Sequence, residues 1–284
     1  MKHAYLILCH TDFQLLRILI NILDDSRNDL FVHIDKKTAY SGRDIIVKNA
    51  GLYILEQRID ARWGDYSLVQ AELLLFETAH NEGNYAYYHL LSGADLPLKS
   101  QDYIHKWCNT HPGIEYIGFS GAETDGESLW RAQHYFPFSH CFRSNNFLIR
   151  LVRRTSLFFQ DLFSLKRHMN MIIKKGPQWC SVTHDFVSYL LQNKDKVEHI
   201  FSHTYCPDEL FIQTVCWNSP FREKLYEPTQ EFSGCMRYIQ WVDGALQDMN
   251  IATVKNALLS NRWFARKFNS LHPEVFKMVL ANLS

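Results

Sequence analysis

The sequence predicts an α/β fold in which a mostly parallel sheet is flanked by helices and one basic helical segment stands apart. Strand-like and helix-like segments alternate through residues 5–97, the strand-like runs are wholly apolar, and the links between them are short. The chain has 284 residues, 46% of them hydrophobic, enough to bury a sizeable core.

The elements follow in order. Tyr5 to Cys9 is an apolar run suited to a strand buried on both faces. Thr11 or Asp12 can cap the next segment, where Phe13, Leu16, Leu19, Ile20 and Leu23 repeat at helical spacing. Leu30 to Ile34 and Leu52 to Leu55 read as further strands, Ser67 to His80 as an amphipathic helix, and Tyr85 to Leu91 as a fourth strand. In the second half, Gln178–Val182 and Arg237–Trp241 are strand-like, while His184–Gln192, Pro207–Trp217 and Val254–Phe268 read as helices. No repeat or flexible linker divides the chain. The expected organisation is one domain over 1–284, with a first half near 1–120, a basic helical insertion at 143–175, and a second half near 176–284.

Thirty basic and thirty acidic residues balance, which argues against a general nucleic-acid binder and against disorder. No run approaches the ~20 apolar residues needed to cross a bilayer. Lys2 and His3 lead straight into a strand-like run without the order of a signal peptide. A cytoplasmic location is therefore expected, including peripheral contact with a membrane's inner face. The seven cysteines are odd in number and form no C-x-x-C pair, so buried thiols are expected rather than disulfides or a zinc site. Segment 143–175 carries eight basic residues against the single acid Asp161, interleaved with phenylalanines and leucines. Such a segment either lies in an anionic membrane interface or packs on the domain with its charges solvated.

Ligands of parallel α/β sheets bind beyond the carboxyl ends of the strands. His10, Asp35 and Asp95 fall at such ends, which points to a nucleotide site. Neither G-x-G-x-x-G nor G-K-[ST] is present, and G-x-S-x-G is absent too. No D-x-D occurs, so no metal site is expected.

Six local sequences then form an ordered series. They are His10 after its strand, His33-Ile34-Asp35-Lys36, Trp63-Gly64-Asp65-Tyr66-Ser67, Tyr88-His89-Leu90-Leu91-Ser92-Gly93-Ala94-Asp95-Leu96-Pro97, Tyr205-Cys206-Pro207-Asp208-Glu209, and Phe264-Ala265-Arg266-Lys267-Phe268. The series resembles the core-2/I-branching β-1,6-N-acetylglucosaminyltransferase family (glycosyltransferase family 14), which includes peptide O-xylosyltransferases. The resemblance runs from about residue 3 to 268 and suggests a bacterial-type member. It implies a GT-A-type fold, an inverting mechanism, a UDP-sugar donor, a glycan or glycolipid acceptor, and no metal or other cofactor, with about 1–120 as the nucleotide-sugar-binding half and about 176–284 as the acceptor and catalytic half.

Carried over residue by residue, the resemblance makes Glu209 the general base and places Lys267 on the donor diphosphate. His10, Asp35, Trp63, Asp95 and Arg266 fall on the donor side, and Trp241 on the acceptor side. The arginine that assists Lys267 has three candidates, Arg266, Arg262 and Arg237. Each residue also has an ordinary structural reading: acids suit a helix's first turn, and tryptophans fill cores. N-acetylglucosamine is the expected sugar, with UDP-xylose or a catalytically silent glycan- or nucleotide-binding relative as alternatives.

Overall fold

The computed structural model describes residues 1–121 and 126–283. The chain opens with β1 (His3–Cys9), α1 (Phe13–Leu23), β2 (Asn28–Ile34), β3 (Gly51–Ile54), α2 (Tyr66–Glu82) and β4 (Tyr87–Ser92). Next come β5 (Leu96–Pro97), α3 (Gln101–Thr110), β6 (Tyr116–Ile117), α4 (Gly126–Gln133) and α5 (Phe147–Leu162). The remainder supplies β7 (Cys180–Thr183), α6 (His184–Gln192), α7 (Lys194–Phe201), α8 (Phe211–Trp217), α9 (Glu231–Gly234), β8 (Arg237–Ile239), β9 (Trp241–Val242), β10 (Ala245–Leu246), α10 (Ile251–Leu259), β11 (Phe264–Arg266) and α11 (Pro273–Leu283).

The main sheet has the order β3-β2-β1-β4-β7-β6. Its first four strands are parallel, and β7 and β6 add antiparallel pairs. The strand at the centre is buried along its whole length, which explains its unbroken apolar sequence. Ala4, Leu6 and Leu8 face a core shared with α2, α6 and α8, while Tyr5, Ile7 and Cys9 face one shared with α1, α3, α10 and α11. A leucine or isoleucine buried in this way contributes about 1.5–3 kcal/mol relative to exposure. The α/β expectation, with helices on both faces of a mostly parallel sheet, is met.

Local chemistry sets the turns that carry the site. Asp12 takes a left-handed backbone, φ 52°, and its carboxylate accepts from Leu15 N at 3.1 Å, starting α1 directly beyond β1. The chain order then runs β1 to β2 to β3 on one side and returns to β4 on the other. The carboxyl ends of β1 and β4 therefore flank a topological switch point, and Gly93 follows there with its amide on Leu8 O at 2.9 Å. An added Cβ at Gly93 would stand 2.8 Å from Cys9 Sγ, so glycine permits this close approach.

Two helix expectations are corrected. The run from Pro207 to Trp217 is not one helix: Pro207–Glu209 is a 3-10 turn, and α8 begins only at Phe211. Cys206 is left-handed, φ 45°, and Leu210 leaves helical geometry at φ −121°, which separates the pieces. The run from Val254 to Phe268 is also divided. The α10 helix ends at Leu259, and Phe264–Arg266 becomes the middle strand of a second sheet, β5-β11-β8. Tertiary pairing with Pro97 and Arg237 overrides the helical spacing there.

All seven cysteines are unpaired and six are buried, as expected. Among the described residues no helix is long and apolar enough to cross a membrane.

Candidate active site

Glu209 ends the 3-10 turn that follows left-handed Cys206. Its carboxylate is held by Arg131 of α4: both terminal guanidinium nitrogens donate to Oε2, each at 3.1 Å. Arg131 is itself fixed, because Nε donates to Tyr205 O at 3.0 Å and Nη2 to Cys206 O at 2.7 Å. Its guanidinium also lies 5.3 Å over the Tyr205 ring. The arginine side chain is 4% exposed and that of Glu209 is 37% exposed, so the carboxylate is oriented from beneath and open above. The pair engages Oε2 alone and leaves Oε1 outside it. Around this pair, Glu127 lies 3.8 Å from Arg131 and 4.0 Å from Lys175, and Gly176 N donates to Glu209 O at 2.9 Å. Burial pushes the Glu231 carboxyl up, with Lys175 opposing and Glu209 adding to the effect.

Asp208, beside it, is shielded from solvent. It is buried, Oδ1 has no hydrogen-bond partner, and burial with the neighbouring Glu209 charge pushes its carboxyl up to about 7.

The strand ends form the second part of the site. His10 stands exposed just past β1. Desolvation by the surrounding protein pushes its proton affinity down, Asp35 opposing and Lys37, Lys267 and Arg143 adding. Asp35 and Lys267, two of the predicted donor residues, therefore share His10's surroundings. Asp35 is buried past β2 and accepts from Lys37 N at 2.8 Å and Lys37 Nζ at 2.9 Å. Lys37 continues to Asp60 at 2.8 Å.

Asp95 is buried after β4 and accepts from Ser92 N at 2.9 Å and Ser92 Oγ at 2.8 Å. It does not cap the following helix; Ser100 does that itself. Its partner across the site is Arg266, whose Nε lies 3.6 Å away. The Arg266 guanidinium stacks 4.1 Å over the Trp179 ring, and its Nε and Nη1 are buried without a hydrogen-bond partner. Burial lowers its proton affinity, with Asp95 opposing. A buried guanidinium with unpaired donors is costly, and an anionic ligand would satisfy it. Lys267, the next residue, is exposed.

Trp63 connects the two parts. Its ring meets Tyr205 edge-on at 5.7 Å, Arg143 lies 5.0 Å over it, and the next residue's carbonyl, Gly64 O, accepts from Cys206 N at 3.1 Å. Gly64 has φ +80° and lies against Phe142 and Tyr205. The loop after β3 is thus hydrogen-bonded to the turn that presents Glu209.

Trp241 stands off this cluster, 54% exposed in the small β9–β10 hairpin. That hairpin leaves the end of β8, where Ile239 pairs with Arg266 in parallel. Trp241 and Lys267 therefore emerge from neighbouring strand ends. Of the other arginine candidates, Arg237 is buried and engaged by the carbonyls of Leu90, Cys180 and Cys235, and Arg262 donates to Ser233. Arg266 is the one placed beside both Lys267 and Asp95.

Arg131 was not anticipated. Its sequence context, Glu127-x-x-x-Arg131, reads as an ordinary surface pair one helical turn apart. His199 and His203 have H-x-x-x-H spacing, but α7 ends at Phe201 and the His203 ring packs on Tyr135 at 5.7 Å. Among the described residues no three His, Cys, Asp or Glu side chains form a cluster fit for a metal ion.

A model of the Core-2/I-Branching enzyme family matches residues 3–264. Xylosyltransferase 2 of Canis lupus familiaris is 19% identical over 234 residues, 79% of this chain and 25% of its own. N-acetyllactosaminide beta-1,6-N-acetylglucosaminyl-transferase of Homo sapiens is 23% identical over 261 residues, 84% of this chain and 58% of its own. A crystal structure of mouse xyloside xylosyltransferase 1 aligns with a TM-score of 0.35 and 9% identity, over 76% of this chain and 81% of that one. The chain spans a quarter to under three fifths of these two curated relatives. With nearly all of its length matched by the family model, the chain belongs to the Core-2/I-Branching enzyme family.

Proposed function

We propose that the protein is an inverting, metal-independent glycosyltransferase that moves a sugar from a UDP-sugar to a hydroxyl of a glycan acceptor. The observation that carries the reading is the Glu209 carboxylate, oriented by buried Arg131 through one oxygen and open to solvent at its other side. In direct displacement the acceptor oxygen bonds to the anomeric carbon as the carbon–oxygen bond to UDP breaks. The acceptor proton passes to Glu209 Oε1, and the developing diphosphate charge falls on Lys267 and Arg266. Asp35 accepts from ribose hydroxyls, His10 and Trp63 border the nucleoside, Asp95 holds Arg266, and Trp241 offers an aromatic face to the acceptor sugar.

N-acetylglucosamine is the first donor sugar to test. UDP-xylose is the second, favoured by the similarity to a xylosyltransferase. A silent glycan- or nucleotide-binding relative has no need of the Arg131–Glu209 arrangement. The proposed setting is cytoplasmic, with peripheral contact at a membrane's inner face. Incubation with a panel of UDP-sugars, with and without glycan acceptors, should release UDP in an acceptor-stimulated manner for one donor. No UDP release from any donor would overturn the reading.

A further inference from the structure

The α5 helix is inside out. The one residue it buries is polar, Gln160, which clamps the backbone of Tyr135 in both directions: Tyr135 N donates to Oε1 and Nε2 donates to Tyr135 O, each at 2.8 Å. One residue on, Asp161 meets His134 Nε2 at 3.0 Å. Polar contacts thus hold the helix to the body. Ile149 and Leu157 are half-buried beside it, but most of the apolar residues face away: Phe147, Leu151, Phe158 and Leu162 form one stripe, and the same spacing repeats one residue later from Leu148 to Phe163. These eight side chains are between 43% and 73% exposed, a large apolar surface for a water-facing helix.

Charge identifies what fits it. Arg150 and Arg154 flank the first stripe and are exposed, while Asp161, the one acid of the segment, is turned toward His134 and Lys166. Of the segment's other basic residues, Arg167 donates to Ile200 O and Thr204 Oγ1, Lys174 is buried, and Arg143 and Arg153 lie over Trp63 and Phe142, so Arg150 and Arg154 carry the charge beside the apolar face. An apolar stripe bordered by arginines matches an anionic lipid interface, where rings and leucines enter the acyl boundary and guanidinium groups meet headgroup phosphates. A second copy meeting it through the same face would set these arginines against their own counterparts.

Position links the surface to the site. The helix is clamped to Tyr135, two residues beyond α4, and α4 presents Arg131 to Glu209. Gln133 at the end of α4 accepts from Arg167 N at 2.9 Å, just past α5. Arg143, shortly before α5, covers Trp63. We propose that α5 docks flat on an anionic membrane surface and brings the Glu209 side of the site to glycan acceptors carried on lipid. The choice of acceptor class rests on the transferase reading; the docking does not.

The test uses the full chain in sedimentation with vesicles of phosphatidylcholine alone or containing phosphatidylglycerol. Binding should require the anionic lipid and be reversed by salt. Phe158→Ser with Leu162→Ser, and separately Arg150→Glu with Arg154→Glu, should each weaken binding by about tenfold or more, because buried apolar area and headgroup pairing are both lost. Melting temperature and UDP release with a soluble acceptor should stay at wild-type levels in both variants. Equal recovery of the wild type in the supernatant with both lipids would overturn the proposal. So would self-association in lipid-free buffer that the Phe158→Ser, Leu162→Ser variant abolishes. Vesicle binding without UDP release from any donor would retain the docking and remove the transferase reading.

Discussion

Arg131 and Glu209 are 78 residues apart in the chain, yet two guanidinium nitrogens of the first donate to one carboxylate oxygen of the second. The remaining donors of Arg131 hold the carbonyls of Tyr205 and Cys206, so one side chain fixes both the turn and the carboxylate it presents. Removing it would take this donor from Tyr205 O, at about 1–3 kcal/mol where the carbonyl is shielded from water, and leave Cys206 O with the Glu209 N–H at 3.3 Å. Arg131→Ala should therefore lower the melting temperature and also lower kcat, with a smaller change in the KM for the donor. Arg131→Lys keeps the charge but cannot make the same fan of bonds, so it should recover stability only in part. An Arg131→Ala protein with wild-type kcat would show that Glu209 needs no such support.

In the proposed mechanism the donor diphosphate falls on Lys267 and Arg266. UDP should raise the melting temperature of the wild type, because a ligand that binds only the folded state stabilises it. Lys267→Ala should weaken UDP binding by about 10- to 100-fold, the size of one charge-assisted hydrogen bond. Arg266→Met should weaken it too, since its buried Nε and Nη1 would no longer be available to the phosphates. Calorimetric titration of UDP measures both. Unchanged affinity in the two variants would place the diphosphate elsewhere.

With Lys267 and Arg266 as the cations, transfer should persist in excess chelator. Activity abolished by chelator and restored by manganese would refute the metal-independent mechanism.

Asp208 gives a pH-dependent prediction. Its folded carboxyl is pushed up to about 7, above an ordinary value near 4, so folding favours its protonated form. The penalty for ionising it is absent below about pH 4, grows between 4 and 7, and is complete above 7. Asp208→Asn removes that penalty. Its melting temperature should exceed the wild type's at pH 8 by several degrees, and the gap should close as the pH falls toward 4. A constant gap across that range would mean that Asp208 is ionised in the fold like any surface acid.

The sheet and its rim were legible because their signals are local. Tyr5–Cys9 lies inside β1, and His184–Gln192 is α6 to the residue. Strand-end polarity also placed His10, Asp35 and Asp95 correctly past β1, β2 and β4. The misreadings came from long-range causes. Phe264–Arg266 has helical spacing but is drawn into a strand between Pro97 and Arg237. The break at Leu210 depends on the left-handed Cys206, whose amide is held by Gly64 O. Arg131 was invisible for the same reason: its partners are the turn at 205–209, while its near neighbour Glu127 suggests a surface pair. The outward apolar face of α5 could not be read either, since the same periodicity serves a helix packed inward.

The central claim is that Glu209 takes the acceptor's proton. Glu209→Gln keeps the size of the side chain and an oxygen for Arg131, but it cannot serve as a base. The measurement is the transfer rate of this variant at saturating donor and acceptor, taken with its UDP affinity and melting temperature. A general base typically contributes about 10²–10⁴ in rate, so turnover should fall by that factor while UDP affinity stays within about twofold of wild type. Turnover close to the wild-type rate in a folded, UDP-binding Glu209→Gln protein would contradict the assignment and the mechanism built on it.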